Sequence, residues 1–576
     1  MSLKTPLAHN RLKRNAFDLS ERHLFTGSIG ELLPCYVKEC VPGDKFVIKP
    51  QVFLRTMPMQ TASFVRLKQT VEFFKVPFRL LWSRFPQFIA GTSYNTSTYF
   101  NTKGFFGLPM ISLYSQKVAA NIGESESLVD YMCRCDRSNQ DNKNLFGVDS
   151  IQSTCKLLDL LGYGLYNPDK PDTIPSHKDS MLVSPFRILA YNKIYQDFYR
   201  NPLYEDQDAN SFNIDFLDKG DSSVPFDIFN REYRTSFSQS YDRMFKLHYR
   251  NLKSDYFTNI RPTFAGAIWQ SALPAAPIFP VTGSAGNMGN FTANIYNYQS
   301  LLGKGDNIDF TRPDNDFGFT INNLRSAYAL DKLLDNTSRS KDGCYVHQME
   351  TRFGVKPRVD DFHCSYLGGS DAPVQIGEVV SQSQTSDQPL GTIGGKAMSF
   401  NNGNIEVECD EHCIIMGIIS IVPETDYPAY GVDREVQKKY KEEFFTPEFM
   451  DLGFQPTTYS ELFASYVHKS DLSANDDSFV LGWNPRYAEY KTGIDKVHGD
   501  LNRDGSLSMW CAPYTSWTAE GNHMNIEALK INPSLFDTLF YVNYNGSSKN
   551  DQFLFNSNFD VKAIRPMSIS GLPYAD

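Results

Sequence analysis

The sequence predicts a mainly β protein, a two-sheet sandwich of jelly-roll type interrupted by long insertions that contain several helices. Three observations predict it. Phe, Tyr and Pro are abundant at 43, 31 and 31 residues, while only 21% of residues are charged. Aromatic side chains suit pleated, half-buried surfaces, and proline suits their connections. Period-two alternation of apolar and polar residues occurs both early and late in the chain. Strands that pair across several hundred residues cannot form a simple meander, whereas a sandwich with long crossovers accommodates them. A chain of 576 residues would by length alone divide into domains of about 150, but a β core can carry insertions of any size. The expected organisation is a basic arm over 1–20 and one domain over 21–576.

Taken in order, the first strand runs from Val65 to Lys75: Val65, Leu67, Val71 and Phe73 point to one side, and Arg66, Lys68, Thr70 and Glu72 to the other. A helix is expected over Ile151 to Leu161, closed by Gly162 as a C-cap. A second begins with Ser184 as N-cap and Pro185 at the first helical position, and Phe186, Leu189, Ala190 and Ile194 form its apolar stripe. Leu324, Ala327, Leu330 and Leu334 mark a third. Such stripes are packing faces over the β core. Between about Thr263 and Asn322 the chain turns rich in Gly, Asn, Pro and Ser, with breakers at Gly283, Gly286, Gly289 and Gly303. That is far beyond the usual loop of about 6 residues, so it reads as a projecting surface element. The polar stretch from Asn201 to Tyr241 is a weaker candidate for the same role.

Near residue 405 the alternation returns, with Ile405, Val407 and Cys409 inward and Glu406, Glu408 and Asp410 outward. After a turn, Cys413 to Val422 is almost wholly apolar. It is well short of the ~18 residues a membrane helix needs and reads as a strand buried on both faces, so no membrane insertion is expected. Toward the C-terminus, Leu539 to Tyr544, an Asn545-Gly546 turn and the stretch from Phe553 suggest a hairpin. Alternation then continues through Phe559, Val561 and Ala563 to Arg565-Pro566.

The net charge is −10, which excludes a polycation coating nucleic acid along its length; any such contact is local. The local candidate is Lys4, Arg11, Lys13 and Arg14, all ahead of the first acidic residue, Asp18. From charge alone these form a solvated tail. Ten cysteines at 35, 40, 133, 135, 155, 344, 364, 409, 413 and 511 lack the rhythm of a disulfide framework, and a reducing compartment is expected. The N-terminal charges have no apolar stretch behind them, so no signal peptide is expected and the setting is cytoplasmic. The Asn-x-Ser/Thr triplets at Asn95, Asn290, Asn336 and Asn545 then carry no weight.

Catalytic and metal motifs are sparse. Cys409, His412 and Cys413, with Cys133 and Cys135 as remote ligands, make the best metal-like cluster, but the spacing departs from zinc pairs. Small apolar residues in a core explain the cysteines, and no metal site or cofactor is expected. Asp410 and Glu411 are adjacent, so on a strand they face opposite ways and cannot share a substrate. Gly391, Gly394 and Gly395 lack the strand-to-helix context of a nucleotide loop and read as turn glycines. No nucleophile elbow, phosphate loop or His-Glu-x2-His occurs, so no catalytic residues are assigned. A polysaccharide hydrolase would need two carboxylates facing across roughly 5 to 9.5 Å. A receptor- or sugar-binding β-sandwich spike is the alternative that shares the fold.

Ordered strings carry a resemblance. They begin with Asn15-Ala16-Phe17-Asp18-Leu19-Ser20, Gly30-Glu31-Leu32-Leu33-Pro34, Val41-Pro42-Gly43-Asp44 and Phe73-Phe74-Lys75-Val76-Pro77-Phe78-Arg79-Leu80-Leu81-Trp82. They continue through Ala190-Tyr191-Asn192-Lys193-Ile194-Tyr195, Asp255-Tyr256-Phe257-Thr258, Arg352-Phe353-Gly354-Val355 and Tyr366-Leu367-Gly368-Gly369. They close with Arg486-Tyr487-Ala488-Glu489-Tyr490-Lys491 and Ala563-Ile564-Arg565-Pro566-Met567. In order and spacing this resembles the major capsid proteins of microviruses, the gokushovirus-like lineages in particular, with the poorest match over 201–241 and 263–322. The resemblance implies an eight-stranded antiparallel jelly roll that assembles as a homo-oligomer, through pentamers, into a T=1 icosahedral shell around circular single-stranded DNA. It implies no catalytic residues. It makes the Lys4 to Arg14 arm genome-facing and the 263–322 insertion a protrusion for attachment to a host cell-surface receptor. Phage accessory, scaffolding or DNA-binding proteins are further implied partners, with the virion as location and host cytoplasm as the site of assembly.

Overall fold

The computed structural model describes residues 14–90, 108–112, 156–164, 182–215, 226–227, 244–245, 247–262, 362–380, 382, 393–450, 453–463, 480–502, 505–511, 529–540, 544–545, 548–549 and 551–567. The chain divides into two units, Met1–Pro262 with Arg358–Asp576, and Thr263–Pro357. The second unit lies outside the described residues, and with it the expected insertion and the stripe from Leu324 to Leu334.

Ten strands form one antiparallel sheet: β1 (Asn15–Asp18), β2 (Glu21–Gly27), β3 (Leu33–Cys40), β4 (Lys45–Thr56), β5 (Arg66–Pro77), β6 (Ser365–Val380), β7 (Ile393–Asn402), β8 (Ile405–Glu408), β9 (Cys413–Glu424) and β10 (Phe553–Arg565). Their order is β1-β10-β4-β7-β6-β5-β9-β3, with β2 also on β10 and β8 also on β4. In a flat sheet, β10 and β3 would stand six places, or roughly 29 Å, apart at the usual strand spacing. Yet Phe559 on β10 meets Tyr36 on β3 at 5.1 Å between ring centroids, and Phe73 on β5 lies 6.3 Å from Phe559 and 6.1 Å from Tyr36. The sheet is therefore curled over on itself, and these rings fill its interior. The turning strand is β6, sixteen residues long. Its first part, Ser365 to Val374, pairs with β5, and its last part, Gln375 to Val380, pairs with β7.

Strand β9 explains its own sequence. It pairs with β3 on one side and β5 on the other, and Cys413 through Ile421 are all buried. Its glycine has a specific use. A methyl group at Gly417 would sit 2.9 Å from the Phe73 ring and 3.2 Å from Tyr36 Cβ. Gly417 thus makes room for two of the three rings, and the β9–β3 register slips immediately after it. β4 and β10 alternate cleanly, with Phe46, Ile48, Val52 and Leu54 facing Phe553, Phe555, Phe559 and Val561 inside.

Several expectations need correction. The polar side of β5 is exposed at Arg66 and Lys68 but covered by chain farther on: Thr70 is buried and bonds Ser420 Oγ at 2.7 Å, while Arg250 donates to Thr70 at 2.9 Å and to Glu72 at 2.8 Å. The helix α1 (Phe186–Ile194) begins one residue later than expected, with Pro185 as N-cap and Ser184 Oγ accepting a long 3.5 Å bond from the Phe186 amide. It is buried nearly all round, Asn192 and Lys193 included, because β5 and β9 lie on one side and the chain near Met244 and His248 on another. The C-terminal hairpin is smaller than expected. Tyr544–Asn545 pairs with Ser548–Lys549, while Leu539 closes a 3-10 stretch from Pro533 and β10 pairs instead with β1, β2 and β4. Of the stretch from Asn201 to Tyr241, the part from Asn201 to Asp215 packs, with Phe212 and Ile214 buried, and apart from Phe226–Asp227 the rest lies outside the described residues. Gly162 caps its helix as expected: φ is +82°, Tyr163 N–H reaches Leu158 O, and Gly162 N–H reaches Asp159 O.

A buried ion pair ties α1 to β6. Lys193 Nζ lies 2.9 Å from Asp197 Oδ1, and donates to Phe362 O at 3.0 Å. Asp197 also receives the Cys364 amide and the His363 ring. Burial pushes the Asp197 carboxyl up, but His363, Lys193 and the Cys364 amide outweigh it and hold it below the ordinary value.

Two outcomes check this account. Phe559→Ala is expected to cost about 3–5 kcal/mol and Gly417→Val about 1–3 kcal/mol, while Phe400→Ala on the outer face changes stability by less than about 1 kcal/mol, all read from urea unfolding of the unassembled subunit. Because the folded Asp197 pKa is depressed, its stabilisation is complete above the unfolded value and is lost as pH falls through the folded one. Asp197→Asn should therefore flatten the acid limb of the stability profile between about pH 5 and the folded pKa, besides lowering stability by roughly 3–5 kcal/mol at neutral pH by leaving Lys193 unpaired.

Candidate nucleic-acid interface and contact surface

Of the four arm cations, Lys4, Arg11 and Lys13 lie outside the described residues, and Arg14 is exposed at the root of β1. The Val41 to Asp44 turn beneath it is fixed by sequence. Gly43 adopts φ +89°, Asp44 Oδ2 accepts from the Val41 amide at 2.9 Å, and a methyl group at Gly43 would approach Arg14 Nη2 to 3.4 Å. Asp44 is fully buried and pairs with Arg565 at 2.9 Å. From there β1 runs along β10, with Asn15 opposite Arg565 and Asp18 opposite Lys562. The side-chain amide of Asn15 adds a 2.6 Å bond to Met567 O.

Electrostatics at this clamp are balanced. Lys562 sits 2.6 Å from Asp18, and Lys45 pairs with Glu408. The Lys562 ammonium first, then the Ser20 hydroxyl and amide, bring the Asp18 carboxyl down to about 2. The clamp cations Lys562, Arg565 and Lys45 each have a carboxylate partner. The charge excess lies ahead of it, in the stretch before Asp18 that holds Lys4, Arg11, Lys13 and Arg14 and no acid.

The outer face of the curled sheet carries an apolar stripe. Strand register aligns Thr26, Leu554, Arg55 and Met398 in one cross-strand row and Leu24, Asn556, Phe53 and Phe400 in the next. Leu24 is 66% exposed, Phe400 58%, Met398 44% and Leu554 44%, and Arg55 lies over the Phe53 ring at 5.2 Å. Thr26, Arg55 and Asn556 separate these apolar side chains within the rows, and large exposed apolar groups gathered on one face are the kind of surface that contacts use. Period-two alternation fixes which residues face outward, but only the register places them side by side.

Asp410 and Glu411 brace the turn between β8 and β9: Lys75 reaches Asp410 at 3.4 Å and Arg79 reaches Glu411 at 2.9 Å. They serve as ion-pair partners on separate cations. Of the metal-like cluster, the fold brings Cys409 and Cys413 together but joins them to Cys40. His412 packs its ring against Phe85 at 5.8 Å, and Cys133 and Cys135 lie outside the described residues. Cys40 escaped the sequence reading because its proximity depends on β3 pairing with β9 in a register that places it opposite Cys413. No helix among the described residues is long and apolar enough to cross a membrane.

Comparison with known proteins agrees with this picture along nearly the whole chain. A family model described as "Capsid protein (F protein)" matches residues 6–112 and 170–574. The chain is 24% identical to "Capsid protein VP1" of Chlamydia phage 1, with 98% of this chain and 96% of that protein covered. It is 23% identical to "Capsid protein VP1" of Bdellovibrio phage phiMH2K, with 97% and 95% covered. The match takes in the N-terminal strands, the turning strand and the C-terminal strand of the sheet, and the chain belongs to the phage capsid F-protein family.

Proposed function

We propose that this chain is the major capsid protein of a microvirus, that it closes into a T=1 icosahedral shell through pentamers, and that the shell encloses circular single-stranded DNA. Family membership makes the chain a structural protein of the virion that assembles with copies of itself, and not an enzyme. The end-to-end family match carries the reading. The outer stripe of Leu24, Leu554, Met398 and Phe400 supports it, since a shell subunit must bury such rows against its neighbours. The fold is read as an eight-stranded jelly roll. Eight of the ten sheet strands have seven residues or more, pairing within the sheet is antiparallel throughout, and the sheet curls over so that its two ends face each other, all of which favour that reading.

Within the shell, Lys4, Arg11, Lys13 and Arg14 reach inward to phosphate, and β1 anchors that arm to β10. The 263–322 insertion projects outward and serves attachment to a host cell-surface receptor. Assembly takes place in host cytoplasm, with phage accessory, scaffolding or DNA-binding proteins as partners. The alternative, a receptor- or sugar-binding spike, shares the β architecture but would be a minor component of the particle.

Quantitative gel analysis of purified particles separates the two: this chain should dominate the protein mass, and a minor band would favour the spike. Deleting 1–14 should leave subunit folding intact while DNA retained per particle drops. Removing four cations should also lower the log–log salt slope of single-strand binding by about 3; an unchanged slope removes the arm from the genome contact. Phe400→Glu should leave a folded subunit that no longer sediments as closed particles, and normal particles would place the stripe outside the subunit interfaces. Shortening 263–322 should spare shell formation and impair attachment to cells, whereas loss of assembly would make the insertion a structural element.

A further inference from the structure

We propose that Cys40, Cys409 and Cys413 form a three-thiolate site for one thiophilic closed-shell metal ion, zinc(II) or copper(I). Their sulfur atoms all lie within 4.8 Å of one another. One ion at about 2.3 Å from each sulfur needs sulfurs roughly 3.8–4.0 Å apart, a separation this cluster accommodates. All three side chains are buried.

The three come from separate backbone segments that the fold has already fixed. Cys40 ends β3, Cys409 directly follows β8, and Cys413 begins β9. Cys413 stands opposite Cys40 in the β9–β3 ladder and opposite Pro77 in the β9–β5 ladder. Cys409 donates its amide to Asp44 O at 2.9 Å and accepts the Gly43 amide at 2.7 Å. A site held this way needs little reorganisation to bind. Isolated buried cysteines such as Cys35 and Cys364 are explained by packing alone, but packing does not require three sulfurs to converge.

The surroundings suit a soft ion. Lys75 lies close enough to act electrostatically on both Cys409 and Cys413, and offsets negative charge there. Asp44, hydrogen-bonded to Cys409 through its backbone and fully buried, keeps an oxygen, Oδ1, without a hydrogen-bond partner among the described residues. Its negative charge works against thiolate at Cys409, and its oxygens are not among the ligand atoms that converge with the three sulfurs, so zinc would take water at its fourth position, whereas copper(I) is satisfied by three sulfurs. Binding converts three thiols to thiolates and releases three protons, with no change of oxidation state. The ion would staple β3 to the β8–β9 turn, beside the Val41 to Asp44 turn that supports the arm.

The test uses the full chain, expressed in media supplemented with zinc or with copper and purified without chelator. Elemental analysis should give about one metal per subunit, which falls to background in Cys409→Ser. The zinc and copper arms identify the ion by which one is retained after dialysis against a weak chelator. Cobalt(II) substitution should add the intense thiolate-to-cobalt absorption in the near ultraviolet if the site accepts a divalent ion. Should Cys409→Ser fail to fold, the wild-type protein still decides: a strong chelator should lower its melting temperature and expose three more thiols to a thiol reagent. Metal content at background in wild-type protein from both media, or a disulfide between any two of the three cysteines in freshly purified particles, would overturn the proposal.

Discussion

Phe559 and Tyr36 touch across the interior although their strands stand six places apart in the sheet. That contact exists only because the sheet bends back on itself along β6, whose two parts serve different neighbours. Once the rings of Tyr36, Phe73 and Phe559 are buried together, the rest of the strand pattern follows. The inward residues of β4 and β10 must be apolar, β9 must offer a glycine where the rings crowd it, and the opposite faces of the same strands are left outside. The outer apolar stripe is a product of that geometry. Register that aligns Phe53 with Phe400 and Leu554 with Met398's neighbour Arg55 also determines which side chains a second subunit would meet.

Polar chemistry holds the connections against this core. Arg250 satisfies Thr70, Glu72 and Ser420 together, and Lys156 lies between Glu31 and Asp551 at 3.0 and 2.6 Å. Lys193 and Asp197 do the same between α1 and the start of β6. The Arg250 and Lys156 pairs bridge segments distant in sequence, while Lys193 and Asp197 stand one helical turn apart and reach the remote chain through Phe362 O and the Cys364 amide. Removing one partner leaves a charge stranded in a poorly solvated place, so these pairs set which connection lies over which strand more than they add net stability. The same logic operates at the clamp, where Asp44 receives Arg565 and Asp18 receives Lys562.

Much of this was legible in advance. Alternation identifies β5, β8 and β10, and the continuous run from Cys413 to Val422 marks β9 as a strand covered on both sides because nothing polar interrupts it except small residues. Gly162 was legible as a cap because only glycine readily takes that conformation. Where the reading failed, the cause was a partner remote in sequence. Alternation puts Thr70 on the polar side of β5 but does not show that Arg250 covers it there, and the Asn545 turn closes on Ser548 instead of on β10, which has longer partners in β4 and β2.

The amino-acid sequence by itself determined that this is a β-rich chain with a local basic arm, since periodicity and charge are properties of neighbouring residues. Its ordered motifs also pointed to the capsid family that the full-length match then established. Tertiary structure alone decided that Tyr36 meets Phe559, that the exposed apolar residues of four strands form one stripe, and that Cys40 joins Cys409 and Cys413. Those are matters of register and curl, set by which strands pair across hundreds of residues, and spacing along the chain carries no record of them.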